Sequence, residues 1–130
     1  MKAKSRRKKD EVVDLRTRTK DFALQIIHLY SGLPRRTEAQ VIGRQIIRSG
    51  TSVGANYREA YRARSKAEFI AKAGDCLKEI EETSYWLELL VASGIVSEER
   101  LKSLRNECGE LTAIFVTSIR NAKSNNERGA

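Results

Sequence analysis

Residues 42–60 read IGRQIIRSGTSVGANYREA, and the parsing of this stretch decides the fold. By composition, Ser49-Gly50-Thr51-Ser52-Val53-Gly54-Ala55 is a loop. By period it is not. Ile42, Ile46, Ser49, Val53, Tyr57 and Ala60 recur at three- and four-residue spacing straight through it, as one face of a single long helix does. Each glycine costs such a helix about 1 kcal/mol against alanine, so these glycines point to close backbone packing or a kink. The helix starts at Thr37, an N-cap residue type followed by Glu38 in the first turn.

The flanking segments carry the same period. A first helix runs from about Glu11 to Tyr30, with Leu15, Phe22, Ile26, Leu29 and Tyr30 as its stripe. Gly32-Leu33-Pro34 ends it, glycine as a left-handed cap and proline as a stop. Ser65-Lys66-Ala67-Glu68 is a capping box that opens a third helix. Phe69, Ala73, Leu77, Ile80, Leu87, Leu90 and Val91 point inward there, and Gly94 closes it. Ser97 caps a fourth helix with Glu98 and Glu99 in its first turn and Leu101, Leu104, Cys108, Leu111, Phe115 and Ile119 as its stripe. No segment reads as a strand. The expected fold is all-α, an antiparallel up-down-up-down four-helix bundle over residues 11–123. A basic disordered tail (1–10) precedes it and a polar disordered tail (124–130) follows.

Composition agrees. The chain has 130 residues, the length of one domain, and its one proline is Pro34. No run of 18 apolar residues exists, so no membrane partner is expected. The basic N-terminus is followed by Asp10 and Glu11 rather than an apolar stretch, which excludes a secretory signal. Two cysteines, Cys76 and Cys108, make neither a disulfide framework nor a zinc site, and a reducing, cytoplasmic location is expected.

Catalytic chemistry is not provided for. The single histidine, His28, lies between Ile27 and Leu29 and reads as a flank or interface residue. Both cysteines sit at or beside apolar stripes and read as small buried hydrophobes. There is no Gly-rich phosphate loop, His-x-x-Glu-His or Cys-x-x-Cys, and one histidine cannot supply the Glu-x-x-His pairs of a di-metal bundle. The expectation is therefore no enzyme, no metal, no cofactor and no small-molecule substrate.

Charge is the informative feature. The formal net charge is +8, but residues 1–66 hold 17 Lys+Arg against 6 Asp+Glu, while residues 67–130 hold 8 against 11. At 100° per residue, Arg48 falls about 40° from Arg44, Arg58 about 40° to the other side and Arg62 in line with it, opposite the core stripe. The four span about 27 Å at 1.5 Å per residue. Nucleic acid presents a charge every ~1.7 Å along a duplex, and the arginine fork grips phosphate oxygens in pairs. Arg6, Arg7, Lys8 and Lys9 in the tail add a non-specific anchor. The bland reading of the ridge is a solvated helix face. A third is a salt-bridge seam with the acidic stripe Glu68, Asp75, Glu79 and Glu82 of a neighbouring subunit. Tyr61 and Trp86 lie off the core centre and read as subunit-interface residues, with Glu79 and Glu82 beside them. Few aromatics are free to stack bases, so sequence-specific readout of single strands is not expected.

The motif Arg48 to Ala60 resembles the central motif of bacterial four-helix-bundle proteins related to the 23S rRNA intervening-sequence protein. Ser65 to Ile70, Leu77 to Leu90 and Glu107 to Leu111 match three further patterns of that family. The resemblance spans about residues 12–122 in order. Many members carry proline where Gly54 stands, and a sub-group carries glycine. The family is similar in fold to the accessory variability protein of diversity-generating retroelements. That likeness implies a basic homopentameric ring that binds RNA or DNA and a reverse transcriptase. Asn56 and Glu59 are motif positions, for which the resemblance implies polar contacts within or between bundles. Two functions fit: a nucleic-acid-binding accessory protein, or a structural scaffold encoded in an rRNA intervening sequence with no nucleic-acid role.

Overall fold

Four helices follow one another: α1 (Leu15–Ser31), α2 (Thr37–Tyr61), α3 (Lys66–Ala92) and α4 (Glu98–Gly129). They are seen in a computed structural model that describes residues 15–129, with side chains as far as Asn125. The expected start at Glu11 and the tail residues Arg6, Arg7, Lys8 and Lys9 lie outside the described residues. Short connections fold the helices into the antiparallel up-down-up-down four-helix bundle, with α2 and α3 the most intimate pair and α1 and α4 the loosest. Among the described residues there is no strand, and no helix is long and apolar enough to cross a membrane.

The stretch 42–60 is one unbroken helix, and its glycines face α1. A Cβ on Gly50 would sit 2.7 Å from Ile26 Cγ1, and one on Gly43 2.8 Å from the Tyr30 ring. A Cβ on Gly54 would sit 3.3 Å from Thr19 Oγ1. The glycines thus let α1 lie almost on the α2 backbone, and no kink is needed to explain them. On the opposite flank, α2 meets α3 through a buried polar link. Thr83 donates to Ser49 Oγ at 2.7 Å, and Ser49 donates to the Gln45 carbonyl at 2.9 Å. Cys76 Sγ sits 3.5 Å from the Val53 carbonyl.

Three local expectations are corrected. Gly32 is not a left-handed cap: among the described residues only Gly94 has a positive φ, at 77°. The end of α1 instead tightens by three-residue bonds, Gly32 N–H to Leu29 O and Leu33 N–H to Tyr30 O. Gly32 leaves room for Arg100, whose Nη2 is 2.9 Å from where a Cβ would stand. Thr37 is the first helical residue, not the cap; Arg36 holds the cap position, with no side-chain cap bond. Gln40 secures that turn, donating to the Pro34 carbonyl at 2.8 Å and accepting from Tyr30 Oη at 3.2 Å. Finally, α4 passes the boundary set at residue 123 and continues to Gly129. Asn, Ser, Glu and Arg there carry only small helix penalties, and no proline or glycine intervenes before Gly129.

The serine caps hold, although Glu68 reaches back to the Arg64 amide and not to that of Ser65 as a full capping box would. Ser65 accepts the Glu68 amide at 3.0 Å, and Ser97 accepts the Arg100 amide at 3.2 Å. Phe22, Ile26, Ile46, Val53, Ile80, Leu87, Leu90, Leu111 and Phe115 form a continuous buried core. Such side chains stabilise by about 1.5–3 kcal/mol each on full burial. Tyr30, Ile42, Phe69, Leu77, Val91 and Ile119, at the margins of their stripes, are half-buried against it.

Candidate nucleic-acid interface

Because α2 buries both flanks, only a narrow outer strip of it meets water, and the arginines occupy that strip. Arg44, Arg48, Arg58 and Arg62 are all exposed. They are not equivalent. Arg48 leans to α3, where its Nη2 bonds Glu82 Oε1 and its Nη1 stands 3.9 Å from Glu79 Oε1. Arg44, Arg58 and Arg62 have no acidic partner within 4 Å among the described residues. The ridge is therefore three free cations and one that is already paired within its own chain.

Glu79 and Glu82 consequently face the ridge of the same chain at this point. Burial and the adjacent Glu82 carboxylate raise the Glu79 pKa, against the pull of Arg48. Glu79 Oε1 and Trp86 Nε1 are buried with no hydrogen-bond partner among the described residues. Trp86 is half-buried, and Tyr85 stacks edge-on against it at 5.2 Å while remaining 54% exposed. Glu59 pairs with Lys72 of α3 at 2.9 Å. Asn56 is half-buried within α2, and no side-chain hydrogen bond joins it to the described residues. Tyr61 stands exposed at the C-terminal end of α2.

At that end the surface becomes concave. Arg58, Arg62 and Arg64 line a groove with Ala55, Glu59 and Glu68. Both acids are engaged, Glu59 with Lys72 and Glu68 as acceptor of the Arg64 amide at 3.3 Å. Arg64 escaped the helical-wheel reading because it lies past the helix, in the turn; only its nearness in sequence to Arg62 hinted at it.

Away from the ridge, α1 and α4 are joined by Arg18. Its Nε and Nη2 hold Glu107 at 2.7 and 2.8 Å, and Nη2 also reaches Glu110 at 2.7 Å. These bonds hold the guanidinium protonated more firmly than usual. No sequence signal marks a pair so far apart in the chain. Cys76 and Cys108 are buried free thiols, and burial pushes each up to about 12. His28 is exposed on α1, in a shallow groove with Leu24, Arg100 and Leu104. Among the described residues no cluster of His, Cys, Asp or Glu is placed to hold a metal ion.

The sequence matches the family described as 23S rRNA-intervening sequence protein over residues 11–117. A solved structure described as a protein with unknown function from the S23 ribosomal protein family of Bacteroides thetaiotaomicron VPI-5482 is similar in sequence and fold. It is 40% identical, the alignment covers 80% of this chain and 96% of that one, and the TM-score is 0.75. No curated protein matches the chain.

Proposed function

The chain belongs to the 23S rRNA-intervening sequence protein family, and from that premise we propose that it is a non-enzymatic, nucleic-acid-binding four-helix bundle of the cytoplasm. The observation that carries this reading is the strip of unpaired Arg44, Arg58 and Arg62 on α2, ending in the groove that adds Arg64. A cation with no acid beside it keeps its full attraction for phosphate; one already bonded, like Arg48, must first give up a partner. The partner is RNA or DNA, gripped along its backbone with little sequence preference. Arg6, Arg7, Lys8 and Lys9 extend the grip, since the chain enters α1 at the end of the bundle where α2 finishes.

The bundle self-associates, as a pentameric ring on the family analogy. The half-buried Trp86 and the exposed Tyr85 and Val41 supply the apolar contact that a subunit seam needs. An accessory role beside a reverse transcriptase belongs to the same reading, and the neighbouring genes test it directly.

The binding test is a salt series with RNA and DNA duplexes. Wild-type affinity falls steeply with salt. Changing Arg44, Arg58 and Arg62 together to glutamine flattens the log–log slope by about three, near one unit per lost phosphate contact. Arg48→Gln alone has a smaller effect on binding. Absence of binding at low salt, or a triple variant that binds like the wild type, sinks the reading. A triple variant whose mass by light scattering falls to that of a monomer would make the ridge a subunit seam instead.

A further inference from the structure

Tyr61 is a large aromatic left in water at the end of a buried helix, 54% exposed. Arg16 of α1 lays its guanidinium over the ring, 4.3 Å from the centroid. Tyr57 supports it from the core side at 6.4 Å, tilted by 53°, and is itself fixed edge-on against Phe115 at 5.8 Å. The exposed ring is thus held by a buried one rather than hanging free. One helical turn back stands Arg58, and the next residue is Arg62; both line the groove with Arg64.

A ring that served a protein seam would be expected among apolar neighbours, as Tyr85 is beside Trp86. Over the Tyr61 ring lies the Arg16 guanidinium, and Arg58, which lines the groove, stands one helical turn back on the same helix. A nucleotide is the ligand that needs both features within one unit: a phosphate for the arginine forks and a flat base for the ring. In a duplex the base faces are already stacked on each other, so only an unpaired base can use the ring. We propose that Tyr61 is a stacking platform for an unpaired base of single-stranded nucleic acid whose phosphates run through the Arg58–Arg62–Arg64 groove. The proposal rests on the nucleic-acid reading above and adds a strand preference to it. Stacking on a tyrosine tolerates any base, so it brings no sequence readout.

The experiment compares a fluorescent oligo(dT) with a duplex of equal length, each titrated with the full chain. Tyr61→Ala weakens oligo(dT) binding by about fivefold to a hundredfold, the range for loss of one stacked base. Duplex affinity stays within about twofold, and Tyr61→Trp keeps the single-strand affinity. Arg58→Gln with Arg62→Gln weakens both ligands. If Tyr61→Ala binds oligo(dT) as the wild type does, or loses both ligands equally, the platform is wrong. It is equally wrong if light scattering shows that Tyr61→Ala dissociates an oligomer. In each of those cases the arginine variants still report separately on nucleic-acid binding. A wild-type chain that binds neither ligand would overturn both readings together.

Discussion

Gly50 and Gly74 show how one residue type carries opposite consequences at different places in the same fold. A methyl added at Gly50 meets the fully buried Ile26 at 2.7 Å, whereas one added at Gly74 meets nothing within 4 Å. Gly50→Ala should therefore lose stability by about 1–3 kcal/mol, the range for overpacking, despite its better helix propensity. Gly74→Ala should gain about 0.5–1 kcal/mol, and urea denaturation of the two variants separates these signs. Glu79 offers a test that depends on pH. Its pKa is raised by burial and by Glu82, so the folded chain keeps this proton to a higher pH than the unfolded chain does. The protonated group's contribution is complete in acid and is lost as pH rises through the folded value. Glu79→Gln should thus melt up to a few degrees above wild type at neutral pH, with the gap closing in acid. The thiols make a third residue-scale test: Cys76 and Cys108, both buried and pushed up to about 12, should resist a disulfide reagent at neutral pH until the chain is unfolded. At this scale the sequence was readable where a residue answers to its own helix. Ser65, Ser97 and Gly94 act as local chemistry says. Gly32 does not: its φ is not positive, and the side chain nearest to it, Arg100, comes from another helix.

Among the elements, α2 was the most legible, since its apolar period runs through the glycine-rich stretch without a phase break and the structure keeps it whole. What periodicity could not supply was which flank met which neighbour. The wheel placed Arg48 with the other ridge arginines, yet a side chain about 40° round the helix is long enough to reach Glu82 on α3. The α1–α4 seam was invisible for a related reason: Arg18, Glu107 and Glu110 lie on faces that local pattern assigns simply to water. Arg18 is the chief polar bond across the loosest contact in the bundle. Arg18→Met should cost about 1–2 kcal/mol, as loss of charge-assisted bonds at a half-buried site does. Hydrogen exchange should show that loss as faster opening of α1 while α2 and α3 keep their protection.

For the whole molecule, the question is how a modest net charge becomes a directed one. The basic half of the sequence contains α1 and α2, and the free ridge lies on α2 with Arg16 on α1. Of the acids of the second half, Glu79 and Glu82 stand against Arg48, and Glu107 and Glu110 hold Arg18 at the α1–α4 seam. Folding therefore leaves Arg44, Arg58 and Arg62 unpaired while the acids nearest them hold other partners, which sequence counting alone could suggest but not locate. Six of the 25 basic residues lie before residue 10, ahead of every described helix. If they serve binding and not the fold, removing residues 2–9 should leave the melting temperature within about 1 °C, since the stretch KAKSRRKK offers no large apolar side chain. Affinity for a duplex should fall, and the salt slope should flatten by about 0.9 for each cation engaged, to a ceiling near five for six of them. Ridge and tail then act on one polyanion as tethered sites, so the ridge-only chain should still bind at low salt and fail first as salt rises. A deletion that lowers the melting temperature while leaving the salt slope untouched would instead assign these residues to the bundle.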